Sequence, residues 1–171
     1  MPTVISDSST LIHLGGIGRL ALLRELYGQI IIPPAVWREV VEEGKGRAGA
    51  AEVETAQKSG WIVLLPPTNE PLAFSLKRDL DEGEAEAIAL ALEHQADLIL
   101  LDESDARSLA SRYSLKKTGA IGVLMRAKKE GKVASLRAEL DRLRNQSGFW
   151  IEDRLYQRVL TDAGETAEGD G

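Results

Sequence analysis

Residues 83–102, GEAEAIALALEHQADLILLD, decide the fold class of this chain. The first part, Gly83–Gln95, is rich in alanine, leucine and glutamate, which favour a helix. The second part, Leu98–Leu101, is a short apolar run of the kind that forms a buried strand. Asp102 follows this run directly, so its carboxylate is expected at the end of the strand. A helix that leads within a few residues into a buried strand is typical of an α/β fold.

Strand-like and helix-like segments alternate along the rest of the chain as well. The further strand-like runs are Thr3–Ser6, Ile30–Ile32 and Trp61–Leu65, and a helix-like segment follows each of them. This alternation predicts a three-layer α/β/α sandwich around a mostly parallel sheet of about four to five strands. The length suits one domain, which we place at residues 1–162, and residues 163–171 are predicted to be a disordered C-terminal tail.

The composition excludes several kinds of functional site. None of the 171 residues is cysteine, which excludes disulfides, thiolate metal sites and cysteine nucleophiles. The two histidines, His13 and His94, have no third partner, which argues against a histidine-rich zinc site. The sequence shows neither a signal-peptide pattern nor an apolar run of about 18 residues that could span a membrane. We therefore expect a cytoplasmic protein without a membrane partner.

Charge is distributed unevenly along the chain. The net charge is −6, but residues 1–115 hold 10 Lys/Arg against 18 Asp/Glu, whereas residues 116–158 hold 11 against 5. An acidic half beside a basic half suits a metal-dependent phosphodiester enzyme, in which carboxylates hold a cation and bases hold phosphates. The alternative is that the basic stretch Arg126–Arg144 is a solvated helical face.

Four acidic residues stand where an open α/β sheet would expose them. Asp7 ends the apolar run of the first strand, Asp102 ends that of the fourth, and Glu39 and Glu84 lie in helix-like segments. In a parallel sheet, the strand ends and the adjoining helices meet at one edge. Carboxylates gathered there would repel each other unless a divalent cation joined them, and oxygen ligands suit Mg²⁺ or Mn²⁺. We interpret the four as catalytic and metal-binding residues. The alternatives are a helix N-cap or a simple strand terminator for Asp7, the N-cap of the helix that runs to Tyr113 for Asp102, and an exposed helix residue for Glu39.

Two glutamates in the helix-like segment compete for the same role. Side chains at positions 84 and 86 point about 200° apart on a helix, so one metal cannot bind both. Glu84 shares a stripe with Ile88 and Ala91, whereas Glu86 shares one with Glu93 that we interpret as the solvent side. Glu84 is therefore preferred, and Glu86 is kept as a second-tier candidate.

In order and spacing, these segments resemble the PIN domain, the metal-dependent nuclease fold of VapC-type toxins. The similarity covers roughly residues 3–162, and the segments that carry it are Val4–Ser9, Pro33–Val40, Gly83–Ala91, Leu100–Arg107, Thr118–Leu124 and Ala127–Lys129. The last two resemble a largely uncharacterised prokaryotic subgroup of PIN proteins that is described as predicted nucleic-acid-binding. The resemblance implies a PIN-like domain at residues 1–162 with Mg²⁺ or Mn²⁺ as cofactor and RNA as substrate.

The resemblance also implies roles for residues next to the four acids. Ser9, two residues after Asp7, would position the carboxylates that face the metal. Many PIN domains carry a further acid shortly after the strand that Asp102 ends, and here Asp105 and Glu103 both qualify. Asp105, one helical turn from Asp102, is ranked first, with a simple N-terminal helix charge as its alternative.

The turn at Thr118-Gly119 is a candidate contact for RNA. It precedes a helix, and backbone N–H groups at a helix N-terminus can hold a phosphate. The alternative is a tight turn with close helix–sheet packing. The neighbouring basic residues Lys116, Lys117 and Arg126 complete the predicted RNA contacts.

Some apolar residues have both a core and an interface interpretation. The segment Leu20–Leu26 could supply a homodimer interface, but a place in the core explains it equally well. The three tryptophans are too widely separated in the sequence to suggest a base-stacking platform, so we interpret Trp37, Trp61 and Trp150 as core or interface residues.

Three functional hypotheses follow. The leading one is a Mg²⁺- or Mn²⁺-dependent ribonuclease that hydrolyses RNA phosphodiester bonds; a narrower version makes it the toxin of a type II toxin–antitoxin pair, with an antitoxin protein as partner. The second is a non-catalytic PIN module that binds RNA or a protein. The third is a phosphatase-like enzyme with Asp7 as nucleophile, which would need a basic residue nearby, and the nearest, Arg19, is twelve positions away.

Overall fold

A computed structural model describes residues 1–165 of the chain. Their central sheet has five strands, all parallel, in the order β3-β2-β1-β4-β5. The strands are β1 Val4–Ser6, β2 Ile30–Ile32, β3 Ile62–Leu64, β4 Leu98–Leu100 and β5 Lys117–Thr118. The predicted parallel sheet is confirmed, and the short extended segment before Gly119 is its fifth strand.

Ten α-helices surround the sheet in the described part of the chain. They are α1 Ser8–Gly16, α2 Ala21–Tyr27, α3 Pro34–Trp37, α4 Ala50–Lys58, α5 Glu70–Leu76, α6 Glu82–Glu93, α7 Ser104–Arg112, α8 Ala120–Lys129, α9 Leu136–Gln146 and α10 Asp153–Asp162. None of them is long and apolar enough to cross a membrane.

The helices form two layers because successive strand residues face opposite sides of the sheet. Ile5 and Ile99 pack against α5, α6 and α7. Val4 and Leu100 pack on the other side, where the remaining helices build the larger core cluster. The predicted three-layer α/β/α sandwich is therefore confirmed. The leucines of Leu20–Leu26 lie in this larger cluster and are at most 9% exposed, so they are core residues, whereas Ala21, Arg24 and Glu25 of the same segment are exposed.

The helix that begins at Pro34 changes its winding after one turn. Residues Arg38–Glu42 form a π-helical segment, in which the Glu43 N–H donates to the carbonyl oxygen of Arg38, five residues earlier, at 2.8 Å. Such segments widen a helix by one residue and often occur at functional sites. The helix is thus one α-helical turn followed by a π-helical one, and Glu39 lies in the π-helical part.

The strand order creates a crevice beside β1. From β1 the chain first builds β2 and β3 on one side and then crosses to β4 and β5 on the other, so the topology switches between β1 and β4. Ligands of open α/β sheets bind outside the carboxyl ends of the strands at such a point. Ser6 pairs with Leu100 in the last register position, which brings the residues that follow, Asp7 and Leu101-Asp102, to this edge.

The end of the described chain is attached to the body. Glu165 accepts hydrogen bonds from the backbone N–H groups of Leu136 and Arg137 and pairs with Lys128 at 3.3 Å. Residues 163–165 of the predicted tail, residues 163–171, are thus described, and Glu165 contacts α9. The part from 166 onward lies outside the described residues.

Candidate active site

Asp7 is fully buried where β1 turns into α1. Its Oδ1 accepts a hydrogen bond from the Thr10 N–H at 3.0 Å, which makes it the N-cap of α1. Its Oδ2 accepts one from the backbone N–H of Asp102 at 3.3 Å. Burial, and after it the charge of Asp102, raises the pKa of Asp7 to about 8. The N-cap alternative is therefore realised, but the same carboxylate also faces the end of β4.

Asp102 lies beside Asp7 and caps a different helix from the one expected. Its Oδ1 accepts from the Ala120 N–H at 2.9 Å, at the start of α8, whereas the alternative interpretation made it the cap of α7. A methyl group on Gly119 would collide with this oxygen and lie 3.0 Å from the carbonyl oxygen of Leu101, so only glycine permits the approach. Burial raises the pKa of Asp102.

Thr10 hydrogen-bonds to both aspartates, a role that was not predicted from the sequence. It is fully buried, its N–H donates to Asp7, and its hydroxyl donates to Asp102 Oδ2 at 3.0 Å. Ser9, which was expected to position these carboxylates, lies 3.4 Å from Glu103 Oε1 instead. The spacing of three residues from Asp7 to Thr10 is that of a helix cap, and this was the available signal.

Glu39 reaches the same edge from the π-helical segment. Its Oε1 accepts from the Gly83 N–H at 2.9 Å and its Oε2 from the Ser8 hydroxyl at 2.6 Å. A Cβ on Gly83 would lie 2.7 and 2.8 Å from the two carboxylate oxygens, so this glycine also makes room for an acid. Burial and the charge of Asp81 raise the pKa of Glu39. The carboxylate therefore points into the protein and is not the exposed helix residue of the alternative interpretation.

Glu84 has the one carboxylate oxygen of the four acids that lacks a partner among the described residues. Its Oε1 accepts from the Asp81 N–H at 3.3 Å, within a capping box at the start of α6. Its Oε2 is buried without a hydrogen bond. Burial, and after it the charges of Asp81 and Glu103, raises the pKa of Glu84 to about 7. An unpaired buried oxygen is costly, and a bound cation would satisfy it.

Glu86 points elsewhere, as the helix geometry predicted, but not into solvent. Its side chain is 13% exposed, its Oε1 accepts from the Ala35 N–H at 3.2 Å, and its Oε2 lies 3.5 Å from Lys77 Nζ. Glu93, on the same stripe, accepts from the backbone of the loop before α5. The interpretation of this stripe as the solvent side of the helix is therefore wrong. Glu86 connects α6 to the start of α3 through its hydrogen bond to Ala35.

Of the two candidate acids that follow β4, Glu103 rather than Asp105 lies near the other site residues. Asp105 is exposed and lines a cavity of about 410 Å³ together with Asp79 and Arg112, on another part of the surface. Glu103 is the acid near Ser9, and its charge contributes to the raised pKa of Glu84. Arg107 donates from Nη1 to the carbonyl oxygen of Leu101 at 2.9 Å.

The predicted RNA contacts divide into two groups. Lys117, Thr118 and Gly119 line a cavity that Asp102 also lines. Arg126 pairs with Glu130 and lies over the ring of Tyr27, and the exposed Lys116 does not line this cavity. An N–H at the start of α8 is already taken by Asp102, so the turn holds a carboxylate where a phosphate was expected.

The donor set fits a hard divalent cation, although the side chains do not converge as they stand. Within residues 1–165 no group of three acidic or histidine side chains is close enough to hold a metal ion. Over the same residues, none of the four acids forms a salt bridge. Partial positive charge comes from the starts of α1, α6 and α8, whose N–H groups bond Asp7, Glu39 and Asp102. The charges of Arg38 and Arg107 also oppose the rise in the pKa of Glu39 and of Asp102, respectively. Carboxylate oxygens whose negative charge no salt bridge neutralises are ligands that suit Mg²⁺ or Mn²⁺.

A protein-family model matches nearly the whole chain. The family model DUF3368, described as a PIN domain, matches residues 3–165. Among curated proteins, none matches the sequence significantly.

Proposed function

Because the chain belongs to the PIN domain family, whose members are generally nucleases, we propose that it is a Mg²⁺- or Mn²⁺-dependent endoribonuclease that hydrolyses RNA phosphodiester bonds. The observation that carries the proposal is the pair Asp7 and Asp102. Asp7 is fully buried and Asp102 half-buried at the switch point of the sheet, where Thr10 joins them, and within residues 1–165 neither forms a salt bridge. RNA rather than DNA is proposed from the family resemblance.

The side chains have distinct parts in this proposal. Asp7 and Asp102 would hold the ion directly or through water, and Glu84 and Glu39 would complete its surroundings from the helix side. A bound divalent cation supplies a Lewis acid for the phosphoryl oxygen and lowers the pKa of an attacking water. Asp7, whose pKa burial raises to about 8, would have to give up its proton to serve as a ligand. Thr10, which hydrogen-bonds to both aspartates, would hold them in a fixed relation.

The cellular role is a narrower form of the same proposal. The chain would act in the cytoplasm as the toxin of a type II toxin–antitoxin pair, with an antitoxin protein as partner. A homodimer also belongs to this form of the proposal; because the leucines of Leu20–Leu26 are core, an interface on this segment would have to use its exposed residues.

RNA cleavage with Mn²⁺ tests the proposal. The wild type should cleave a single-stranded RNA in Mn²⁺ and stop when a chelator is added, and Asp7→Asn should be inactive in both conditions. Glu86→Gln is a matched control on α6, because Glu86 bonds Ala35 and Lys77 and lies off the site. Cleavage that survives both the chelator and Asp7→Asn would sink the mechanism.

A non-catalytic RNA-binding module is the second candidate. The observation that favours it is that the carboxylates of the described residues do not already form a three-ligand cluster. Calorimetry separates the two candidates: the nuclease must bind Mn²⁺ at millimolar concentration or below, whereas a binding module would bind RNA without any heat of Mn²⁺ binding.

A further inference from the structure

Trp150 is exposed in a way that its residue type rarely is. Its side chain is 81% exposed in the loop between α9 and α10. The other two tryptophans, Trp37 and Trp61, pack partly buried against the core. The expectation of core or interface residues is thus met by Trp37 and Trp61 as core residues, whereas Trp150 is not part of the core. A large aromatic surface left in water marks a place where something binds, provided that its surroundings form a site.

The surroundings of Trp150 form a cavity that extends to the candidate active site. Trp150 and Phe149 line a cavity of about 490 Å³, and Asp102, Thr118 and Gly119 line the same one. Cavities of a few hundred Å³ are the size that holds small ligands and single nucleotides. Apolar side chains from α8 and α10 also line it, namely Ile121, Met125 and Val159.

The polar lining suits a nucleotide better than a purely apolar ligand. Lys117, Arg107 and Arg158 supply positive charge for phosphate oxygens. Glu152 and Asp162 also line the cavity, and carboxylates accept hydrogen bonds from the amino groups of bases. Basic groups, an aromatic face and acceptors for a base edge are the elements with which proteins hold an unpaired nucleotide.

Basic side chains continue beyond this cavity along α8. A neighbouring cavity of about 600 Å³ shares Met125 and Asp162 with the first. Arg126, Lys128 and Lys129 line it, so positive charge follows the surface away from Asp102. Arg126 and Lys128 are paired there with Glu130 and Glu165, so Lys129 is the one of the three without a salt bridge among residues 1–165, and an RNA phosphate would have to compete for the other two.

We propose that the cavity beside Asp102 binds one unpaired nucleotide of single-stranded RNA, whose base stacks on Trp150. That this nucleotide lies next to the scissile phosphate rests on the proposed nuclease function; the binding itself does not. A base in a duplex is stacked and paired and cannot reach the indole, so the site selects single strands. The inference thus adds a nucleotide-binding cavity and a residue, Trp150, that contacts the base.

Binding in the absence of metal tests the proposal without relying on cleavage. The probe is a short, fluorescently labelled single-stranded RNA in chelator, followed by fluorescence anisotropy. Because base–aromatic stacking accounts for about 1–3 kcal/mol per base, Trp150→Ala should weaken binding about tenfold. Trp150→Phe should retain affinity within about threefold, because phenylalanine keeps an aromatic face for the base. Since the Trp150 side chain is 81% exposed, its truncation should leave the fold intact.

A matched control is available on the opposite layer. Phe74, on α5, is 75% exposed and lines none of the cavities near the site, so Phe74→Ala should leave RNA affinity unchanged. The same RNA as a duplex should bind more weakly, with no dependence on residue 150. Equal affinities of Trp150→Ala and Phe74→Ala for the single strand would overturn the proposal and leave the exposed indole to a protein partner.

These experiments distinguish a failure of the proposed nucleotide site from a failure of the proposed nuclease function. A protein that never cleaves RNA but loses affinity in Trp150→Ala retains the nucleotide site without the nuclease. A protein that cleaves RNA in Mn²⁺ but binds it equally well with and without Trp150 is a nuclease whose nucleotide site lies elsewhere.

Discussion

The two halves of the candidate site are built differently. In the strand-end pair, Asp7 and Asp102, all four carboxylate oxygens accept hydrogen bonds, three of them from backbone N–H groups. In the helix pair, Glu39 and Glu84, the longer side chains come from helices, and Glu84 Oε2 has no partner among the described residues. Short side chains tied to the backbone cannot move far, whereas the glutamates can change rotamer. The fold thus fixes one half of the site and leaves the other able to adjust around a ligand.

The largest expected contrast is in activity. Asp7→Asn and Asp102→Asn should each lower the rate of RNA cleavage by roughly 100-fold or more, because even the partners of metal ligands cost about 10–100-fold when mutated. Glu39→Gln and Glu84→Gln should cost less, on the order of tenfold, because the adjustable half can rearrange. Single-turnover cleavage in Mn²⁺ measures all four. Equal losses in both pairs would show that the two halves do not differ in this way.

Two glycines test the same contrast through packing. In Gly119→Ala the new methyl group meets Asp102 and also the Leu101 carbonyl oxygen, which belongs to the backbone. In Gly83→Ala it meets only the end of the Glu39 side chain, which can move away. We expect Gly119→Ala to lower the free energy of unfolding by about 1–3 kcal/mol, as overpacking does, and Gly83→Ala to lower it by less. Urea denaturation of both variants gives the comparison.

The strand-end pair should also leave a signature in the pH dependence of stability. Burial raises the pKa of Asp7 to about 8, whereas it titrates near 3.8 when unfolded. Folding therefore favours the protonated form, and the metal-free protein should lose stability as the pH rises from about 4 to about 8. Asp7→Asn cannot ionise, so its stability should fall less over this window, by at least about 1.4 kcal/mol, the equivalent of one pKa unit.

Denaturation of both proteins in chelator at pH 5 and at pH 8 measures this difference. Comparing the two proteins cancels the other titrating groups, including carboxyls such as Glu82 whose pKa the fold lowers. Parallel loss of stability in wild type and Asp7→Asn would mean that Asp7 is ionised in the metal-free protein.

Local sequence patterns predicted where the side chains of the site point. Contacts between residues far apart in the sequence could not be predicted from such patterns. Apolar runs that end in an aspartate placed Asp7 and Asp102 at one sheet edge, and the 100° step of a helix separated Glu84 from Glu86. The bond from Asp102 to the start of α8 joins residues 18 apart, and that from Thr10 to Asp102 joins residues 92 apart. Such contacts depend on strand register and rotamers, which no local pattern encodes. The exposure of Trp150 depends likewise on how α8 and α10 pack.

Thr10 gives the smallest effect and the finest test of the strand-end pair. Thr10→Val keeps the shape and the N–H bond to Asp7 but removes the hydroxyl bond to Asp102 Oδ2. Because a buried acceptor then loses a partner, we expect a loss of about 1 kcal/mol in stability and a lower cleavage rate, both restored by Thr10→Ser. Ser9→Ala, which removes only a 3.4 Å contact to Glu103, is the matched control and should change neither value appreciably. If Ser9→Ala impairs cleavage more than Thr10→Val, then Ser9 positions the carboxylates during the reaction, and the resting arrangement of Thr10 is structural alone.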